Sequence, residues 1–316
     1  MFKYIADWLI YSTFNLNPET RLGQSLNFFV YDTIKILLLI ILVITVVAFV
    51  RSFFPPQKIK KVLSRQKFGL GNFLAACFGA ITPFCSCSSI PLFLGFLEAE
   101  IPLGIAFSFL ITSPLVNEVA FIIMGGTFGW KIAFLYAGSG ILLGTLVGTV
   151  LGKMKLAQEI KLKIKKPCCA DNNDSQKNLS MRVKFALKQG FGMFKNIWWV
   201  VLIGVALGAL IHGYVPEKVF TQYLNTNSIF SVPLAALIGI PVYAGCSTVV
   251  PIAFAAVTKG VPLGTALAFM MSIAGLSLPA AIILKRAISL KLLLIFFTIV
   301  GIGIIIIGYF FNLVPV

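Results

Sequence analysis

This sequence contains few charged residues. Only 11% of its 316 residues are charged and 59% are hydrophobic, whereas a typical soluble domain has about 25% charged residues. Uncharged runs recur along the chain, and several exceed the roughly 20 residues that a helix needs to cross a bilayer. These runs do not alternate polar and apolar residues, as the strands of an outer-membrane barrel would. The sequence therefore predicts an all-α polytopic membrane protein.

Acidic residues are scarcer still, with 10 Asp and Glu against 26 Lys and Arg, for a net charge of +16. This excess could indicate a nucleic-acid partner, but most of the basic residues fall in two short loops, 51–67 and 153–189. The positive-inside rule then places both loops in the cytoplasm, in a protein of the cell (inner or plasma) membrane. We therefore expect the lipid bilayer as partner and no nucleic acid. Residues 1–32 lack the apolar core of a signal peptide and are predicted to form an N-terminal interfacial segment.

The chain repeats itself at an offset of 160 residues. The tripeptide Pro-Leu-Gly at 102–104 recurs at 262–264, and Lys131 recurs as Lys291. The register needs no gap between residues 35 and 291, which predicts a duplicated membrane unit. After the N-terminal segment, the predicted divisions are a first membrane unit at 33–152, the basic loop at 153–189 and a second membrane unit at 190–316.

Each unit contains four hydrophobic segments. They lie at about 33–54, 69–97, 102–127 and 131–152 in the first unit, and at about 191–213, 229–257, 261–284 and 290–311 in the second. Matching loops differ in charge: loop 51–67 is basic and its counterpart is not, whereas loop 125–130 is uncharged and its counterpart contains Lys285 and Arg286. This opposition is expected of two inverted structural repeats. Because inversion requires an odd number of crossings, one of the two middle segments should be re-entrant, or both should be broken.

Candidate helix breaks are the prolines of the middle segments, because proline removes a backbone donor and its ring clashes with the preceding turn. These residues are Pro83, Pro91, Pro114, Pro241 and Pro251. Ordinary kinked spans are the alternative, since proline is common in membrane helices. Together with the repeat, the prolines predict broken or re-entrant helices that meet near the midplane, as in secondary transporters.

Thiols and hydroxyls cluster inside the first middle segment, and the second unit has a matching cluster. The candidate substrate-binding residues are Cys85, Ser86, Cys87 and Ser88 in the first unit and Cys246 and Ser247 in the second. Cys246 corresponds to position 86, between the two cysteines, so three thiols could meet near the midplane. Such a cluster would bind a soft metal ion or another small thiophilic solute. The alternative is that small Cys and Ser residues only allow close helix packing.

Glu118 is an acidic residue within an apolar segment, and Asn117 precedes it. An intramembrane carboxylate is a candidate proton relay or cation ligand, which makes protons a candidate coupling ion. The alternative is that Glu118 reaches an aqueous vestibule. Cys168 and Cys169 in the basic loop could capture a thiophilic solute before it enters the membrane, or could be incidental reduced thiols.

Three strings of this sequence resemble a known family. The strings Thr-Pro-Phe-Cys-Ser-Cys-Ser-Ser-Ile-Pro at 82–91 and Phe-Leu-Ile-Thr-Ser-Pro-Leu-Val-Asn-Glu at 109–118 resemble the ArsP-type predicted permeases. The string Pro-Val-Tyr-Ala-Gly-Cys-Ser at 241–247 is similar to that family's second-half motif. The resemblance implies an integral membrane permease. Characterised members export trivalent organoarsenicals and related members are linked to copper or zinc efflux, so the resemblance supports a transporter more strongly than any one cargo.

The sequence thus predicts a permease that exports a thiophilic solute, such as a trivalent organoarsenical or a soft metal ion, through a midplane site that contains cysteines. It lacks a Walker-type Gly-Lys-Ser/Thr loop, so ATP hydrolysis is not expected, and neither enzymatic activity nor a cofactor is predicted. One alternative is a membrane thiol oxidoreductase, although such enzymes usually use Cys-x-x-Cys pairs and this chain has Cys-x-Cys and Cys-Cys. The other is an importer or channel for a sulfur compound on the same scaffold.

Overall fold

The computed structural model describes six stretches of the chain: residues 69–82, 86–98, 101–154, 159–160, 230–242 and 246–314, with scattered positions at 7–45 and 198–206. The first predicted segment of each unit (33–54 and 191–213) lies largely outside the described residues. The same holds for the interfacial segment and for both basic loops, including Cys168 and Cys169.

Ten helices and no strand make up the described part of the chain, which confirms the prediction of an all-α protein there. In chain order they are α1 (Leu70–Ile81), α2 (Ser86–Glu98), α3 (Leu103–Leu115), α4 (Glu118–Thr127), α5 (Trp130–Lys153), α6 (Ser231–Gly239), α7 (Cys246–Thr258), α8 (Leu263–Gly275), α9 (Leu278–Ala287) and α10 (Leu290–Asn312). The bounds of α2, α3 and α4 recur at an offset of 160 residues in α7, α8 and α9. Both middle segments are therefore broken in both units, at matching positions.

Helices α1 and α2 form a hairpin that lies alongside α3. Helix α1 runs parallel to α3, because Asn72 lies beside Gly104 near the start of α3 and Gly79 packs against Ser113 near its end. Helix α2 returns in the opposite direction, since its first turn reaches Ser113 through Ser89. The end of α1 and the start of α2 therefore lie level with the end of α3.

Helices α3 and α4 together run antiparallel to α5. At one end Gly104 contacts Gly148 and Gly152, and at the other Gly125 packs on the ring of Trp130. The axis bends by 41° between α3 and α4. Helix α5 has 24 residues and is about 36 Å long at 1.5 Å per residue. Helices α1 and α2 follow only the α3 portion of this length, so the end of α1 and the start of α2 lie near the middle of α5.

Glycines allow α3 and α5 to approach closely. A Cβ atom at Gly148 would clash with Ser108 Oγ and would lie 2.6 Å from Gly104 O. The second unit repeats this contact, since a Cβ at Gly264 would overlap Gly308 O. Small residues at helix contacts are the usual means of tight packing in membranes.

Several described helices can cross a bilayer. Three runs are long and apolar enough, namely Trp130–Lys153, Leu263–Lys285 and Leu290–Asn312, and the bent pair α3–α4 would be a fourth. The run Leu263–Lys285 comprises α8 and most of α9. Large apolar side chains on the outer faces of α5 and α10 are exposed, among them Phe134, Leu142, Ile302 and Ile306. In a membrane protein these faces meet lipid.

The two units contact each other through matching residues. A Cβ built at Gly303 of α10 would overlap Leu143 of α5, and one at Gly275 of α8 would lie 3.2 Å from Leu115 of α3. Residues 143 and 303, and residues 115 and 275, are equivalent in the repeat. Helix α7 also packs against α4, and the equivalent pair, α2 and α9, packs likewise. The contacts between the units thus join equivalent residues and equivalent pairs of helices.

The prolines differ in their relation to the observed breaks. Helix α3 continues through Pro114 and ends at the next residue, and α6 ends at Gly239, two residues before Pro241. Helices α2 and α7 continue through Pro91 and Pro251, so the breaks predicted at these two residues are wrong. Both helices begin five residues before their proline, at Ser86 and Cys246, and neighbouring helices in a membrane protein compensate for a proline inside a helix. Pro83 lies outside the described residues.

Candidate functional site

Four helix ends of the first unit lie at the same level along the helix axes. Helix α1 ends and α2 begins beside the end of α3, where α4 follows after the two-residue break at Val116 and Asn117. Pro114 has no N–H to donate to the preceding turn, and Val116 N–H makes the last helical bond, to Thr112 O at 2.8 Å. The Tyr136 hydroxyl of α5 donates to Leu115 O at 2.9 Å. A side chain of α5 thus satisfies a carbonyl that the helix end leaves free.

Asn117 and Glu118 begin α4. The Asn117 side chain accepts a hydrogen bond of 2.8 Å from Val119 N–H and caps the helix. Glu118 occupies the first turn, where the helix dipole favours a negative charge. Its Oε2 atom is buried and has no hydrogen-bond partner within the described part of the chain. A buried carboxylate oxygen without a partner is available to a bound solute, cation or proton.

A serine pair joins the thiol motif to this break. Ser89, in the first turn of α2, and Ser113 of α3 are fully buried, and their hydroxyl oxygens lie 2.8 Å apart. Residues 86–88 form the start of the same helical turn, so their backbone lies within one turn of the Ser89–Ser113 contact. The motif that the sequence marked as a binding segment is therefore held at the break between α3 and α4.

The second unit has its own break, at Leu276 and Ser277. Leu278 N–H donates to Ile240 O at 3.0 Å and ties the start of α9 to the end of α6. Ser272 Oγ donates to Ala236 O at 2.5 Å, which ties α8 to α6. Ser277 precedes α9, yet its side chain makes no capping hydrogen bond. Its Oγ atom is buried without a partner in the described ranges.

The two breaks approach each other where the units meet. Leu115, which ends α3, contacts Gly275, which ends α8. Helix α7 of the second unit also packs against α4 of the first, and α2 of the first unit packs against α9 of the second. The rings of Phe128 and Phe254 mark the α4–α7 contact, with centroids 5.2 Å apart. The helix ends of both units therefore form one central region between the units.

The structure places some of the predicted site residues and leaves others undescribed. Asn117 and Glu118 lie at the first break, and the backbones of Ser86, Cys87 and Ser88 begin α2, as those of Cys246 and Ser247 begin α7. The side chains of these five, and Cys85 altogether, lie outside what the structure describes. Within the described ranges, no three His, Cys, Asp or Glu residues are grouped to hold a metal ion. The predicted thiol cluster stays a prediction.

Comparison with known proteins identifies the family of this chain. A model of the ArsP-type family, described as predicted permeases, matches residues 21–313. The chain belongs to this family of predicted permeases. A UPF0718 protein of Methanocaldococcus jannaschii is 24% identical over 291 residues, covering 72% of this chain and 80% of the relative. The UPF0718 protein YraQ of Escherichia coli is 23% identical over 256 residues, covering 80% of this chain and 71% of the relative.

A third relative comes from Streptococcus mutans and is named as a proposed subunit of a two-component membrane permease complex. It is 27% identical over 214 residues, covering 66% of this chain and 69% of the relative. No solved structure gives a significant match. Family membership establishes a predicted membrane permease and favours a transporter over an enzyme.

Sequence reasoning did not single out Ser89, Ser113 and Ser277 as site residues. Each is a polar residue in an apolar segment, which is the signal that could have found them. Ser277 could also have been found through the repeat, because its equivalent is Asn117. Whether such a residue belongs to the site depends on its depth in the protein and on its neighbours. Both are known only once the packing of the helices is known.

Proposed function

We propose that this permease carries a small thiophilic solute through the central region where the helix ends of the two units meet. The supporting observation is that a thiol motif begins α2, Cys246 begins α7, and each of these helices packs against a helix of the opposite unit, α2 against α9 and α7 against α4. Helix N-termini favour negative charge and therefore the thiolate form that binds soft species. Cys85, Cys87 and Cys246 are the proposed ligands of the solute.

The two units are inverted relative to each other in this proposal. Glu159 and Ile160 contact the α9–α10 turn: Ser289 N–H donates to Glu159 O at 2.8 Å, and Ile160 pairs with Ile288. Glu159 follows the end of α5 by six residues, which reach at most about 20 Å. The equivalent turn of the first unit lies at the other end of α5, about 36 Å away. Equivalent turns at opposite ends support antiparallel units.

Both basic loops belong to the same side in this arrangement. Loop 51–67 precedes α1 and loop 153–189 follows α5, and a hydrogen bond of 2.9 Å from Asn72 to Thr149 joins these two helix ends. Positive charge on that side supports a cytoplasmic location for both loops. The hairpins α1–α2 and α6–α7 are then re-entrant from opposite faces, which is the arrangement of many secondary transporters.

Orientation can be measured with two equivalent, exposed residues. Trp130 and Leu290 begin α5 and α10 and are 54% and 50% exposed. In a variant without native cysteines, Trp130→Cys and Leu290→Cys should react with a membrane-impermeant maleimide from opposite sides of oriented vesicles. Reaction of both from the same side would reject the inverted arrangement.

The thiol site is tested by transport. Cys85→Ser, Cys87→Ser and Cys246→Ser should each abolish uptake of arsenite, antimonite, Cu(I) or Zn(II), whichever the wild type moves, into everted vesicles. Cys77, a free and half-buried thiol on α1, supplies the matched control: Cys77→Ser should transport like the wild type at equal membrane abundance. Wild-type transport by the Cys85→Ser, Cys87→Ser double variant would remove the basis for a thiol site.

A further inference from the structure

Ser277 has a buried hydroxyl group that bonds to none of the residues described by the structure. It is 1% exposed and lies directly before α9. Its backbone has the extended conformation of a helix-capping residue, with φ −61° and ψ 143°, and its carbonyl accepts from Ala281 N–H at 3.1 Å. A serine in this position usually accepts a hydrogen bond from the helix. Ser277 Oγ makes no such bond and has no partner in the described part of the chain.

The location of Ser277 is the central region between the units. The next residue, Leu278, is bonded to Ile240 at the turn of the second hairpin. Two residues earlier, Gly275 contacts Leu115 at the end of α3. Helix α9 packs against α2, the helix that begins with the thiol motif. Ser277 thus lies where the second hairpin, the first break and the α2 helix come together.

The Glu118 carboxylate is a hydrogen-bond acceptor that complements the Ser277 hydroxyl as a donor. At the equivalent break of the first unit, Glu118 Oε2 is buried and has no partner among the residues that the structure describes. A carboxylate oxygen can only accept a hydrogen bond, whereas a serine hydroxyl can donate one. A solute that carries hydroxyl groups would satisfy both, by donating to Glu118 and accepting from Ser277. A bare metal cation offers no acceptor for the Ser277 proton.

Thr112 has an equally unpartnered hydroxyl, but its surroundings differ. Thr112 Oγ1 lies against Gly144 of α5, within the tight contact of α3 and α5 rather than between the units. This hydroxyl is therefore not part of the solute region.

We infer that Ser277 is a solute-binding residue that selects thiophilic solutes bearing hydroxyl groups over bare soft cations. The inference rests on the proposed function: two of the thiols would bind the soft atom of a trihydroxide, each displacing one hydroxyl group as water, and Ser277 would donate a hydrogen bond to the hydroxyl group that remains. Arsenite is a suitable probe, since it is a neutral trihydroxide at neutral pH, and Cu(I) is the matching bare cation.

The experiment measures dissociation constants of arsenite and Cu(I) for the purified full-length protein. Ser277→Ala should lower the preference for arsenite over Cu(I) by about two- to tenfold, which is the effect of one neutral hydrogen bond. Ser277→Thr keeps the hydroxyl and should retain the preference. Without solute, Ser277→Ala should unfold at no lower temperature than the wild type, because no native hydrogen bond is lost.

Ser272→Ala is the matched control, because this buried serine has its hydrogen bond satisfied within the second unit. It should lower thermal stability and leave the arsenite preference unchanged. An unchanged preference in Ser277→Ala, or wild-type binding of Cu(I) alone, would overturn the inference while leaving a thiol site intact. If the wild type binds neither probe, the inference is overturned. If the cysteine variants bind both probes as well as the wild type does, the proposed function fails and the inference fails with it.

Discussion

Gly148→Ala tests the close contact between α3 and α5, which sets the position of the end of α3 along α5. A single methyl group at this position would clash with Ser108 Oγ and would lie 2.6 Å from Gly104 O and 2.9 Å from Ser108 N. Two of these three neighbours are backbone atoms, so rotation of a side chain cannot relieve the overlap. A carbon–oxygen contact of about 3.3 Å would require α3 and α5 to separate by about 0.7 Å.

Gly138 on the same helix supplies a matched comparison. It is exposed, and a Cβ there has no atom within 4 Å. Replacing Gly by Ala inside a helix favours folding by about 1 kcal/mol through backbone entropy, and this gain is common to both variants. Overpacking a tight contact costs about 1–3 kcal/mol. The difference between Gly148→Ala and Gly138→Ala therefore isolates packing and should be about 1–3 kcal/mol, with Gly148→Ala the less stable.

Thermal unfolding of the two purified variants in the same detergent measures this difference. We expect Gly148→Ala to unfold roughly 2–10 °C below Gly138→Ala, from the usual relation of stability to midpoint in proteins above 150 residues. Equal midpoints, or a higher midpoint for Gly148→Ala, would refute the close approach of α3 and α5. Gly148→Val should widen the gap if steric overlap is the cause.

Three further predictions concern the breaks and the unit contacts. Asn117→Ala removes the cap of α4 and should cost about 1 kcal/mol of stability, whereas Asn117→Asp should retain it; unfolding midpoints distinguish the two. Glu118→Gln should remove the pH dependence of transport in everted vesicles, and an unchanged pH profile would exclude Glu118 as the coupling group. Lys291→Gln should leave the midpoint unchanged, because its 3.8 Å ion pair with Glu159 involves a side chain that is 69% exposed, and surface pairs contribute little.

The sequence predicted the positions of the breaks better than their cause. Proline precedes the first break, at Pro114 inside α3, but follows the second, at Pro279 in the first turn of α9. Both breaks nevertheless fall at equivalent residues, 116–117 and 276–277. Proline suits either side of a break, because it disrupts a helix interior and is favoured in a first helical turn. The 160-residue register was therefore the stronger signal than any one proline.

The contacts of the site could not be predicted from composition or spacing. The Ser89–Ser113 pair depends on the return of α2 along α3, and the sequence left open which middle segment turns back. The absence of a partner for Ser277 Oγ within the described ranges depends on how α9 packs against the other helices. Hydrophobic periodicity finds helices, whereas the relative depth of two helix ends is set by side-chain packing such as that at Gly79 and Gly104.

The two contacts between equivalent residues have a consequence for how the halves recognise each other. At both places the first unit contributes a leucine and the second a glycine: Leu143 with Gly303, and Leu115 with Gly275. Two copies of the first unit would set leucine against leucine, and two copies of the second would leave a void at each place. At each of the two contacts, a leucine side chain fills the space that a glycine leaves. The halves of this chain are therefore specific for each other, and neither could replace its partner with a second copy of itself.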